Sequence, residues 1–338
     1  MTVTKSQDRF VPANTRRPRR SIVPAGAILA LGLGLASTAQ ADQFTVFDVP
    51  GSAGTFPQSI NADSTVTGFS VDGQGIAHGF VRSPDGTIVS FDANDPVSID
   101  KKGWIAGTFN DHGFVRSPRG KIKKFDAAPH QVTGATAIND SKTVIGDTTD
   151  DGGVTHGFLR DNHGAITLFD APGAGLQTIP LGLNGHGATT GFFADNAGAD
   201  HGFVRSSDGS FETFDPSGSA DTLAIGINAK GQVTGYYVDG DVETGFVRNA
   251  DGKITAFSVP GAVNGTLAGA INKHGVIAGS CLDDTTRHGF LRLADGTFVQ
   301  FDAPGATGGT NPVGLNDANV TVGFFFDNKG GHGFVRTP

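Results

Sequence analysis

Hydrophobic residues along this chain come in short alternating runs, each broken by Gly, Asp, Asn or Ser, and the runs recur on a long period. The clearest marker is Gly-Phe-(Val or Leu)-Arg, which occurs seven times, at Gly79, Gly113, Gly157, Gly202, Gly245, Gly289 and Gly333. Successive separations are 34, 44, 45, 43, 44 and 44 residues, and a period in this range means repeated supersecondary units. Ahead of each marker lies Ile-Asn or Leu-Asn, at Ile60, Ile138, Leu183, Ile227, Ile271 and Leu315, with Ile99-Asp100 as the variant. Eight residues beyond that apolar residue comes a glycine: Gly68, Gly107, Gly146, Gly191, Gly235, Gly279 or Gly323. Four residues further comes an aspartate, and after Gly-Phe-Val-Arg a turn, usually Asp-Gly, leads to a segment ending in Phe-Asp.

Each unit therefore reads as four short β segments separated by turns. In the fifth unit they fall at about 223–228, 232–239, 244–248 and 254–257. Four antiparallel strands repeated seven times predict an all-β chain, a seven-bladed β-propeller, because radial repetition leaves only short edges. The chain also predicts its own closure. Phe44-Thr45-Val46-Phe47-Asp48 is a fourth strand without its first three, and the last unit stops at Phe334-Val335-Arg336 without a fourth. The early strand should complete the last blade and hide an edge. Adjacent apolar residues such as Phe203-Val204 point to opposite faces, as a blade sandwiched between two others requires. The second-strand glycine is expected where blades crowd toward the axis. The second unit departs from the rule: Phe91 to Ile99 is shortened, and Asp111-His112 are adjacent where a loop should intervene.

The first 41 residues differ. Lys5, Arg9, Arg16, Arg17, Arg19 and Arg20 precede an apolar run from Ile22 to Ala36, and Ala39-Gln40-Ala41 follows. This is the pattern of an export signal cut after Ala41, leaving 42–338 as a single propeller domain with no membrane span. Arg19-Arg20 leaves the twin-arginine route open beside the general one. Nineteen basic and thirty-two acidic residues then remain, so the mature chain is about 13 charges negative. Nucleic acid and anionic lipid are excluded as partners on this reading, since a phosphate binder needs a basic footprint. Cations, glycans and neutral cell-surface ligands are left. Only Glu212 and Glu243 are glutamates and Cys281 is the single cysteine, which fits strands and turns without a disulfide.

The repeats resemble the HAF-repeat family of probable extracellular bacterial proteins, here with His-Gly-Phe at His78, His112, His156, His201, His288 and His332, and Thr244 in the fifth copy. The resemblance implies export and a repeat fold, and it brings no catalytic residues.

The topology puts the aspartates Asp72, Asp111, Asp150, Asp195, Asp239, Asp283 and Asp327 on one face with the six histidines. The functional reading is a ligand-binding or cation-binding face; the structural one is a set of hairpin ties. A feature present in nearly every unit is better explained by what every unit needs. No nucleophile elbow, phosphate loop or metal consensus is present, so neither catalytic residues, metal nor cofactor are assigned. A single site would need residues that break the repeat: His130, His163, His186, His274, Arg287, Glu243, Cys281, Trp104, Tyr236 and Tyr237. The expectation is an exported monomer acting as a non-catalytic binding or surface module; the alternative is a secreted carbohydrate lyase or hydrolase at the mouth of the central channel. An enzyme requires off-pattern groups converging at one mouth, whereas a binding module requires similar shallow pockets between blades.

Overall fold

The computed structural model describes residues 42–338; the expected leader lies outside the described residues. All regular structure here is β, in 28 strands. The strands pair antiparallel in chain order in sets of four, and two pairs of neighbouring sets are also joined by a single parallel pair, Thr155 with Gln177 and Gly54 with Gly331. In the fourth set, Gln177–Leu183, Thr189–Ala194, Asp200–Arg205 and Phe211–Phe214 lie side by side. Turn chemistry sets these boundaries. The side-chain oxygen of Asn184 accepts the N–H groups of His186 and Ala188, both at 3.0 Å, which is the Asx turn that ends a strand and starts the next. The last set takes three strands from the C-terminal end and its fourth from Gln43–Phe47, which pairs antiparallel with Gly331–Thr337 from Gln43 opposite Thr337 to Phe47 opposite Gly333.

Every first strand carries a β-bulge near its middle, for example between Pro57 and Ser59 and between Pro180 and Gly182. The bulge explains the second-strand glycine. A Cβ at Gly191 would lie 2.1 Å from the Ile179 carbonyl oxygen, and one at Gly68 2.2 Å from that of Phe56. The nearest crowding is the backbone of the unit's own first strand, rather than the convergence of blades toward the axis.

Three kinds of seam join successive units. The third-strand phenylalanines, from Phe80 to Phe334, are all 0 % exposed and pack in clusters that combine adjacent units, such as Phe80, Ile60 and Val66 with Val320, Val322 and Val335. The arginine that follows each of them stacks on the fourth-strand phenylalanine of the preceding unit. Arg116 lies 4.6 Å from the Phe91 ring centroid, Arg160 4.9 Å from Phe125 and Arg336 4.7 Å from Phe301. Finally, in six of the seven units the asparagine that follows the first strand donates its Nδ2 to the backbone carbonyl of its counterpart one unit on. Asn139 reaches Asn184 at 3.0 Å, Asn184 reaches Asn228 at 3.1 Å, and Asn228 and Asn272 continue at 3.0 and 3.1 Å. All three seams also join the last unit to the first: beyond the Phe80 cluster, Asn316 donates to Asn61 at 3.2 Å and Arg82 stacks on Phe47 at 4.8 Å.

Candidate functional site

Antiparallel order places the turns between second and third strands, and the connections from each fourth strand to the next unit, at one end of every unit. The repeated Asp and His residues lie there. Each second-strand Asp first satisfies its own hairpin: Asp195 accepts from Ala197 and Ala199 at 2.7 and 3.0 Å, and Asp72 from Gln74 and Ile76 at 2.8 and 2.9 Å. These N–H groups, ahead of the histidine, hold Asp72 and Asp195 below the ordinary carboxylate value.

The histidine is then held between two carboxylates. His288 has Nε2 3.0 Å from Asp283 and Nδ1 2.9 Å from Asp302. His332 bridges Asp327 and Asp48, His156 bridges Asp150 and Asp170, and His201 bridges Asp195 and Asp215. His78 reaches Asp72 at 3.2 Å and His112 reaches Asp126 at 2.6 Å. Asp283, then burial and Asp302, set the balance at His288, whose pKa is raised; at His332 burial opposes the charge but Asp48 and Asp327 prevail.

Two of the seven aspartates depart from this scheme. Asp111 does not end a strand: Ile105–Phe109 and His112–Arg116 are joined by a two-residue turn in which Asn110 and Asp111 have φ of 49° and 68°. This tight hairpin explains how the second unit does without its loop. Asp239 is exposed and faces no histidine, because Thr244 stands in that place.

Over the fourth and sixth units the same positions enclose cavities. One of about 360 Å³ is lined by Gly173, Phe193, Asp195, His201, Thr213 and Asp215. Its counterpart, about 140 Å³, is lined by Pro260, Gly261, Ala262, Cys281, Asp283, His288 and Gln300. Among the described residues no group of three or more His, Cys, Asp or Glu could hold a metal ion.

The off-pattern residues divide into two classes. His130, His163, His186 and His274 are exposed, Tyr237 and Cys281 are buried, and Trp104 packs beside Val144 and Phe158. Arg287, Glu243 and Tyr236 instead come together. Glu243 and Arg287 occupy the position just before the repeated His or Thr, and each side chain lies against the first-strand start of the next unit. A Cβ at Gly265 would be 2.5 Å from Glu243 Oε2, and one at Gly309 would be 2.9 Å from Arg287 Cβ. Both glycines have positive φ, 137° and 98°, so the two side chains approach backbone at positions that only glycine occupies without strain.

Arg287 donates from Nη1 to Ser280 Oγ at 2.8 Å. Burial lowers its pKa while Glu243 and Tyr236 pull it up. Burial, then Glu243, pushes the Tyr236 phenol to about 12, with Asp200 adding to the rise. Asp200 extends the cluster into the fourth unit: Gln177 Nε2 lies 3.4 Å from its Oδ1, its N–H donates to Asp221 at 3.0 Å, and burial raises its pKa. Sequence reasoning singled out Arg287, Glu243 and Tyr236 but missed Asp200, Asp221 and Gln177. A signal was available. The position before the repeated His or Thr is Ala77, Asp111, Thr155, Asp200, Glu243, Arg287 and Gly331, almost always different amid near-constant neighbours.

No protein-family model and no curated protein matches the chain. Solved structures do. A catalytically inactive variant of virginiamycin B lyase from Staphylococcus aureus, crystallised with quinupristin, superposes with a TM-score of 0.62 at 15% identity, over 88% of this chain and all of that one. A streptogramin B lyase gives 0.60 at 16% identity, over 87% of this chain and 97% of that one. The β-propeller domain of the Trilobed protease from Pyrococcus furiosus gives 0.55 at 9% identity, over 84% and 94%. At these identities the likeness concerns architecture alone: the chain has a β-propeller fold.

Proposed function

We propose that this chain is an exported, closed propeller of seven four-stranded blades that binds a polyhydroxylated glycan without turning it over. The site is the mouth formed by Tyr236, Glu243, Arg287 and Asp200. Closure into seven blades is supported by the pairing of Gln43–Phe47 with the last unit and by the Asn316 and Arg82 links back across the same seam. Export and the likeness of the His-Gly-Phe repeats to the HAF family belong to the same proposal.

The observation that carries the site is the convergence of these non-repeating residues around two positive-φ glycines. One guanidinium, one phenol and two carboxylates, with Gln177 and Asp221 held against Asp200, set donors beside acceptors, which suits hydroxyl groups better than a bare ion or an apolar ligand. The groups that usually act as bases or nucleophiles are committed elsewhere. Four histidines have both ring nitrogens against carboxylates. The Cys281 thiol is 1% exposed and pushed by burial to about 11, and Tyr236 stays protonated.

A glycan array probed with the protein, with and without calcium, tests this. Binding to neutral glycans, indifferent to calcium and lost in Arg287→Gln and Tyr236→Phe, is the expected result. Binding that survives both substitutions places the site elsewhere. Shortening of a bound glycan in solution overturns the non-catalytic reading in favour of a lyase or hydrolase.

A further inference from the structure

The negative net charge hides a local exception. Of the nineteen basic residues beyond position 41, seven are the repeated arginines stacked on phenylalanine, and seven of the other twelve lie between 101 and 142. The group belongs to the second unit and the turn beside it, and all but Lys123 and Lys124 lie in turns at the end opposite the Asp and His residues. Lys102 is on the turn between first and second strands, and Arg119 and Lys121 on the turn between third and fourth. The two turns touch, since a Cβ at Gly103 would meet Pro118 at 3.7 Å. Lys123 and Lys124 continue the charge along the exposed outer strand Ile122–Phe125. Among the described residues only Lys101 of this group forms an ion pair, with Asp140 at 2.8 Å.

A second observation shows that the charge replaces something useful. In the equivalent turns Asp85, Asp208, Asp251 and Asp295 each accept the N–H two residues on, at 2.9, 2.9, 3.0 and 2.9 Å. The second unit has Arg119 in that place and forgoes the bond; Lys121 N–H turns to Ser117 Oγ at 3.1 Å. Of the six such turns the third unit also lacks this aspartate, with His163 in its place, but there Asp161 accepts the His163 and Ala165 N–H groups at 2.9 and 2.8 Å. The second unit alone puts a fixed cation in that place, which folding leaves unexplained and a partner that reads positive charge explains.

We infer that this basic corner of the second unit docks an acidic polysaccharide. Its shape selects that partner among polyanions. The charges turn from the end loops onto the outer strand, so a flexible chain can follow them while a flat membrane meets only one side and is repelled by the remaining surface. Trp104 and Phe109 each carry a lysine over the ring, Lys142 and Lys124 at 4.7 and 3.7 Å from their centroids, which obstructs the stacking of nucleobases there. The inference stands apart from the mouth site, whose residues lie at the other end of the fourth to sixth units.

The test is binding of the intact protein to dextran sulfate and polygalacturonate at low salt, with neutral dextran, single-stranded DNA and phosphatidylglycerol vesicles as comparison arms. Binding should appear with the two acidic polysaccharides and fade as salt screens it. The double variant Arg119→Asp, Lys121→Thr recreates the turn Asp85-Gly86-Thr87, so it should fold at least as well and bind at least tenfold more weakly. A control with the same charge change, Lys230→Thr with Lys253→Glu in the fifth unit, should bind within about twofold of the parent. Equal losses in both variants, no loss in the first, no polysaccharide binding at all, or preference for DNA or vesicles would each overturn the inference.

Discussion

Replacing Asp100 by Asn should stabilise the protein, because it supplies the one link lacking from the asparagine belt. Six Nδ2 groups donate to the next unit's backbone carbonyl at 3.0–3.2 Å. At the seventh position stands Asp100, 3% exposed, with Oδ1 accepting from Lys102 and Trp104 at 2.8 Å each and Oδ2 buried without a partner. A carboxylate has no proton to give the Asn139 carbonyl. The substitution removes an unpartnered buried oxygen, worth about 1–3 kcal/mol, and adds a neutral hydrogen bond, worth about 0.5–1.5 kcal/mol. Part is returned as the two bonds to Oδ1 lose their charge assistance. A net gain of about 1–2 kcal/mol remains, and in a domain of this size that raises the melting temperature by about 2–6 °C. Thermal unfolding from pH 4 to pH 8 also checks the origin. Burial, partly offset by the Trp104 and Lys102 bonds, raises the Asp100 pKa. A group with a raised folded pKa contributes stability that is complete below its unfolded value and is lost as pH rises through the folded one. The variant's advantage should therefore be greatest near pH 8 and shrink toward pH 4. No gain at pH 8, or a gain that does not change with pH, would refute the belt as a source of stability.

Three other outcomes follow from the same contacts. Gly191→Ala puts a methyl 2.1 Å from a backbone oxygen that cannot swing aside; denaturant titration should show a loss near the upper end of the usual overpacking range, about 3 kcal/mol. Deleting residues 43–47 removes the partner of Gly331–Thr337, and light scattering should report aggregation through the exposed edge. The clasps give a pH window. His156, His201, His288 and His332 are raised and Asp150, Asp195, Asp283 and Asp327 lowered, so the histidine share is lost as pH rises above about 6.5 and the aspartate share as pH falls below about 4. Chemical denaturation of a His201→Gln, His288→Gln variant should show a smaller decline in stability between pH 6 and pH 8 than the parent.

What each unit needs was legible from repetition: the four strands, the glycine, the Phe layers and the early strand that completes the last unit all recur at a spacing near 44 residues. What passes between units was not. The arginine of each Gly-Phe-Val-Arg is as regular as its phenylalanine, yet its partner lies in the preceding unit and only the assembled seam shows the stacking. Ile99-Asp100 was visible as a variant, but its cost depends on an oxygen facing a carbonyl that cannot donate. Asp200, Asp221 and Gln177 were invisible because attention to constant positions passes over a position that changes from unit to unit. Net charge misled in the same way. A total near −13 removes a basic footprint on average while Lys102, Arg119, Lys121 and Lys123 keep one locally.

Whether repeated residues stabilise while non-repeated residues bind, as proposed, is tested in one paired experiment: melting temperature and glycan retention measured side by side for His201→Gln and Arg287→Gln. Loss of melting temperature with retention intact in His201→Gln, and loss of retention with melting nearly intact in Arg287→Gln, is the outcome that follows from the two kinds of contact. The reverse pattern, with retention lost on breaking the clasp and kept without the guanidinium, would move the binding site to the Asp and His face and contradict the division of labour.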